Sequence, residues 1–207
     1  MHSVVEPSYD GPVLAEGNTV TMEFVTAMMQ RFKEQKLVAK KFIVAILQQV
    51  YTMLRNTPSL MRLQVPSSGE FTVCGDTHGQ FYDVLKIFEL AGMPSADRPF
   101  LFNGDFVDRG SFSFEVVMTL LALKVACPEA VFLTRGNHES KNMNKIYGFE
   151  GEVKHKYDAG VMTMFSEVFC WLPLCATIND KVRVINTSFR YVSELMQLLS
   201  GAQADRD

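Results

Sequence analysis

Apolar and polar positions along this chain fall into two regimes. Early on, apolar residues recur at helical spacing: Phe24, Val25, Met28, Met29 and Phe32 within 21–35, then Phe42, Ile43, Ile46, Leu47, Val50 and Leu54 within 40–55. Steps of three and four place each set on one stripe, which predicts two amphipathic helices joined by the lysine-rich stretch from Lys33 to Lys41. The methionine and aromatic stripe reads as core packing. Pro58 and the Pro66 to Gly69 stretch then mark a loop. Beyond it the regime changes. Strand-like runs at 71–75, 99–103 and 130–134 are followed in turn by helical patterns at about 80–91 (Phe81, Val84, Leu85 and Phe88 on one stripe), 113–126 and 139–170. Strands alternating with helices predict βαβ units, a mostly parallel sheet and an α/β fold. A last strand-like run, 181–185, precedes Phe189, Val192, Leu195, Met196 and Leu199 at helical spacing, closed by Gly201.

Each of the three strand-like runs ends in glycine and then in oxygen and nitrogen ligands: GDTHG at 75–79, GDFVDRG at 104–110 and RGNHE at 135–139. Open α/β sheets place their sites at the carboxyl ends of the strands, so the three clusters are expected to converge in one crevice. Asp76 and His78 stand two residues apart, Asp105 and Asp108 three apart after a glycine, and Asn137 and His138 add an amide oxygen and a second imidazole. Mixed carboxylate, imidazole and amide ligands suit borderline divalent metals such as Mn, Fe or Zn. Two such ions sharing a carboxylate form a clamp for in-line displacement at phosphorus and acidify a bound water. Arg109 and Arg135 are candidate guanidinium forks for phosphate oxygens. Taken singly each cluster has a plainer reading: a loop Asp and His, a helix cap at Asp105 or Asp108, a satisfied loop histidine. Three clusters after three strands are harder to explain that way.

Composition narrows the picture. A length of 207 residues fits one domain with a sizeable core, and 47% hydrophobic with 21% charged residues is ordinary for a globular protein. The net charge of −3 offers no long-range attraction for nucleic acid. No apolar run reaches membrane-span length, and the N-terminus lacks the basic start and apolar core of a secretory signal. Cys74, Cys127, Cys170 and Cys175 show no CxxC pairing and are expected to be buried free thiols in a reducing compartment, the cytosol or nucleus. His155 reads as a solvated helix position.

The three motifs in this order resemble the signature of the phosphoprotein phosphatase (PPP) family of Ser/Thr phosphatases. The flanking residues 74–82 and 103–113, with YGFEGEVK at 147–154, resemble its protein phosphatase 5 subfamily. The similarity covers about residues 9–185. It implies a calcineurin-like metallophosphoesterase β-sandwich flanked by helices, two divalent metal ions and phosphoprotein substrates. By the resemblance, Asp76, His78 and Asp105 would hold the first metal, with Asp105 bridging to a second that Asn137 also ligates. His138 would protonate the leaving seryl or threonyl oxygen and Asp108 would orient it; Arg109, with Asn137, would hold the phosphate. Water activated by the metals would attack directly, with no phosphoenzyme.

The match breaks at Asn186, where the family continues with a histidine and two glycines. Of the four histidines only His78 and His138 lie in motifs, so the second metal is expected to lack two protein ligands. The expected organisation is a lead-in arm at 1–20, helical lead-in at 21–60, an incomplete phosphoesterase core at 61–185 and a divergent tail at 186–207. Only the N-terminal half to two-thirds of the family fold is expected, with an apolar sheet face left exposed. A tetratricopeptide domain, and partners bound through one, are not expected. The readings in play are a Ser/Thr phosphatase of doubtful activity, an impaired fragment that binds substrates or regulators, and a phosphoesterase for small phosphate esters, which the subfamily-like stretches argue against.

Overall fold

Helix α1 (Met22–Lys33) starts where the Thr21 side chain accepts a hydrogen bond from the Phe24 amide at 3.2 Å, with Glu23 in the first turn. Helix α2 (Lys40–Arg55) follows, and the predicted stripes of both are buried. The computed structural model describes residues 8–67 and 69–186, so the helical spacing read at 189–199 lies outside the described residues. Strand β1 (Leu60–Leu63) precedes the alternating region: β2 (Thr72–Cys74), α3 (Phe81–Ala91), β3 (Phe100–Asn103), α4 (Ser113–Ala126) and β4 (Val131–Thr134). Then come α5 (Lys141–Tyr147), α6 (Phe149–Lys156), α7 (Ala159–Cys170), β5 (Cys175–Ile178) and β6 (Val182–Ile185).

Strands β2, β3 and β4 form a parallel sheet in that order, the βαβ arrangement the alternation predicts. A second sheet runs β1-β5-β6, with β1 parallel to β5 and β5 antiparallel to β6. Side-chain alternation explains the layering. Phe100, Phe102, Val131 and Leu133 face the helical core, whereas Leu101 and Phe132 meet Met61, Leu63, Ala176, Ile178 and Val184 of the second sheet. The result is a two-sheet sandwich with α1, α2, α3 and α6 gathered around a nearly fully buried α4, and α7 packed on α2 and α6. No helix among the described residues is long and apolar enough to cross a membrane.

The structure bears on three further expectations. The helical material at 139–170 is present and is divided into three helices, because Gly148 adopts φ 112° between α5 and α6 and Asp158 starts α7 by accepting from the Val161 amide. The exposed apolar sheet face is found in part. Most of the two inner faces cover each other, but Val73 on β2 and Val182 on β6, in register with inner-facing Leu101 and Ile178, stay 47% and 54% exposed. Arg62, Thr177 and Arg183 line up across the outer face. Not all cysteines are buried: Cys74 and Cys175 are, Cys127 is half-buried and Cys170 is exposed. His155 is exposed on α6 as read.

Lys124 on α4 is a buried cation, 9% exposed, that donates to the Pro128 carbonyl at 2.7 Å and stands over the Phe132 ring. Burial pushes its pKa from 10.5 down to about 8, against the pull of Glu129. Between those values the unfolded chain keeps a proton that the folded chain has lost, so this group makes stability rise with pH; below pH 8 its penalty is present in full. Lys124→Met is therefore expected to raise the unfolding free energy at pH 7 by about 1 kcal/mol, less than the whole shift because the Pro128 bond goes too. Urea melts of both proteins should show that advantage shrinking towards pH 10.

Candidate metal and phosphate site

The carboxyl ends of β2, β3 and β4 each lead into a tight turn, and the turns touch. A Cβ on Gly104, itself at φ 74°, would lie 2.3 Å from the Gly136 nitrogen, and one on Gly136 would lie 2.3 Å from the Asp105 nitrogen. Two glycines thus let the turns after β3 and β4 meet backbone to backbone. His78, Asp105, Asp108 and Arg109 all have positive φ, between 34° and 70°, a conformation that non-glycine residues keep only when the surroundings hold it.

Glu139 does much of the holding. Fully buried, it accepts from the amides of Asp105, Phe106 and Gly136, each at 2.8 Å. Burial pushes its carboxyl up to about 7, with the Asp105 charge adding to the rise, while the Phe106 amide and the other two pull the opposite way.

Asp76, His78 and Asp105 each present a ligand atom within 4.8 Å of the other two. Asp105 is buried, whereas the Asp76 side chain is 54% exposed, so the group opens to solvent on the Asp76 side. The His78 Nδ1 lies 2.9 Å from the Val107 carbonyl, which assigns the proton to Nδ1 and leaves Nε2, on the Asp76 side, as the lone pair. Two carboxylates and an oriented neutral imidazole make a donor set that fits a borderline divalent ion. Asn137 adjoins it. With its amide nitrogen turned inward it donates to both Asp105 oxygens at 3.0 and 3.1 Å; turned outward it offers the carbonyl oxygen that a metal ligand requires.

Beside the trio stands the His138 imidazole, 1% exposed, its ring centroid 4.7 Å from that of His78. Its Nδ1 is 2.9 Å from the Asp108 carboxylate and its Nε2 is 3.1 Å from an Arg109 guanidinium nitrogen. Since guanidinium only donates, the imidazole is neutral here, with its proton on Nδ1. Asp108 is itself held by Asn144 and the Phe149 amide, so the carboxylate cannot swing away. Arg109 is exposed and lies against the Tyr147 ring.

The fold therefore brings Asp76, His78, Asp105, Asp108, Arg109, Asn137 and His138 together. Arg135 is tied to the backbone next to this group, its Nε donating to the Glu139 carbonyl at 3.0 Å. Glu139, Asn144 and Tyr147 are site residues that sequence reasoning missed. Glu139 stood inside a motif, but a carboxylate that serves backbone amides over thirty positions away leaves no local pattern.

Comparison with known proteins agrees with this geometry. The calcineurin-like phosphoesterase family profile matches residues 69–202, running past the boundary at Asn186 that the motifs suggest, and a PPP5 TPR repeat region profile matches residues 1–62. Serine/threonine-protein phosphatase 5 of Solanum lycopersicum is 57% identical over 182 residues, covering 88% of this chain and 33% of the relative. Its Homo sapiens counterpart is 52% identical over 182 residues, 88% of this chain and 36% of the relative. This chain thus spans about a third of the length of these curated relatives. A solved Saccharomyces cerevisiae protein serine/threonine phosphatase, with similarity to human phosphatase PP5, superposes with a TM-score of 0.77 at 46% identity, over 80% of this chain and 53% of that one. A family profile that covers most of the chain, over a fold whose strand ends converge on the ligands, places this protein in the calcineurin-like phosphoesterase family.

Proposed function

We propose that this chain binds a divalent metal ion through Asp76, His78 and Asp105 and hydrolyses phosphoserine and phosphothreonine in proteins, slowly when alone. The observation that carries the reading is the Asp108–His138–Arg109 series set against the ligand trio. A divalent ion held there would supply a Lewis acid for the phosphoryl oxygens and acidify a water. The chain's own groups do the rest. Exposed Arg109 can leave His138 and take phosphate oxygens, which frees Nε2. Protonated there and held at Nδ1 by Asp108, His138 can give a proton to the departing seryl or threonyl oxygen. Asn137, beside Asp105, is positioned to contact a second ion or the phosphate.

Slowness follows from the ligand count. Among the described residues a single His/Cys/Asp/Glu group of metal-binding geometry is found, and a second ion would have only the Asp105 carboxylate and the Asn137 amide. With Mn2+ and a phosphoserine peptide, phosphate release should be measurable but at least about 100-fold slower than from a full-length relative. His138→Ala should lower it by a further factor of about 100 or more. Unchanged turnover in His138→Ala would refute the acid role. The low ligand count also favours a second reading, a phosphoprotein-binding module, which peptide binding without any phosphate release would select.

The tetratricopeptide-region match at residues 1–62 tempers the expectation that no such segment is present. Within that span α1 and α2 turn their apolar stripes onto α4 and α7, so these two helices serve the phosphoesterase core. We propose on that ground that they do not recruit partners as a repeat array does. Free cysteines support the proposed cytosolic or nuclear location.

A further inference from the structure

We infer that Asn186 restricts this site to a single metal ion, its amide occupying the position on Asp105 that a second cation would need. The inference rests on the metal-binding reading above and says what becomes of the other half of the centre. Asn186 follows β6, the strand of the second sheet whose end comes over the first, and it is 3% exposed. Its Nδ2 lies 3.1 Å from the Asn103 carbonyl and 3.1 Å from Asp105 Oδ2. One hydrogen goes to each acceptor, so both hydrogens of the amide are engaged. Turning its oxygen towards Asp105 would break both bonds, which makes Asn186 a fixed donor.

The residue is anchored as well as aimed. Asn103 donates through Nδ2 to the Ile185 carbonyl at 3.2 Å and accepts at Oδ1 from Thr134 Oγ1 at 2.9 Å, tying the ends of β3, β4 and β6 together. Asp105 Oδ1 accepts from the His138 amide at 2.9 Å. The carboxylate thus shares the ligand group with Asp76 and His78 while its Oδ2 accepts an N–H from Asn186. A cation bridged through Oδ2 would face the positive end of an amide dipole at contact distance. An oxygen or imidazole nitrogen at position 186 would reverse the sign and add a ligand beside Asp105 and Asn137.

Metal counting on the full chain, with Mn2+ as the probe, tests this without relying on turnover. Equilibrium dialysis should give one Mn2+ per wild-type chain, lost in Asp76→Ala, with the paramagnetic resonance of an isolated ion. Asn186→Asp should take two ions and show the spectrum of a coupled pair. Asn186→His, a neutral ligand, replaces it should two adjacent carboxylates prevent folding. Two ions in the wild type, or one in a folded Asn186→His protein, would overturn the inference and leave the metal-binding reading standing. No binding by the folded wild type would overturn both.

Discussion

Asp105→Ala is expected to abolish Mn2+ binding and, in the metal-free protein, to lower the unfolding free energy by about 2–4 kcal/mol. Few side chains serve so many neighbours here. The Asp105 carboxylate belongs to the ligand trio, accepts the His138 amide at 2.9 Å and accepts Asn186 Nδ2 at 3.1 Å, all at 2% exposure. Alanine removes both acceptors and leaves buried donors unpaired, at about 1–3 kcal/mol each before relaxation. It also puts an ordinary side chain at φ 52°, where aspartate is better tolerated. Asp105→Asn separates the two effects. It keeps one acceptor oxygen and loses the charge, so about half the stability loss should remain while Mn2+ affinity still falls by about 100-fold or more. Titration calorimetry and urea melts on the three proteins are sufficient. Wild-type Mn2+ affinity in Asp105→Ala would remove this carboxylate from the site.

What could be read from the sequence divides along the range of the interactions. The β2-α3-β3-α4-β4 sequence is legible because each element carries its own period and glycine stops. The ligands fall at strand ends, so their convergence follows from the parallel sheet. Strands β1 and β5 are four residues each and lie close to prolines, and what makes them strands is the pairing of Leu60–Leu63 with Cys175–Ile178, more than a hundred positions apart. No local pattern reports that. The hairpin from β5 to β6 was open to a closer reading, since Asn179 and Asp180, both at φ 52°, are the residues that a primed turn favours. Within the site, side chains that act on a ligand were visible as types and spacings. Those that act on backbone were not: the Val107 carbonyl that sets the His78 tautomer and the amides gathered by Glu139 appear only once the turns are folded.

Glu139→Ala is expected to cost about 3 kcal/mol or more, enough to threaten a fold whose total stability is about 5–15 kcal/mol. The carboxylate fills a cavity that three amides, from Asp105, Phe106 and Gly136, point into at 2.8 Å. These amides converge because Gly104 and Gly136 allow the two turns to touch, and without an acceptor they would be like dipoles pressed together in a dry interior. Burial works against the charged carboxyl, yet removing it leaves three donors with nothing to receive them. Glu139→Gln should lie between, at about 1–3 kcal/mol, because its oxygen can accept two amides while its own NH2 faces the third. Both variants should also bind Mn2+ more weakly, since Asp105 depends on that backbone for its position. Denaturant midpoints at constant m report the first effect and titration calorimetry the second. Should Glu139→Ala unfold within about 1 kcal/mol of the wild type, the turns must be held by glycine packing and the Asp105 network instead, and Glu139 would be a passenger in its own motif.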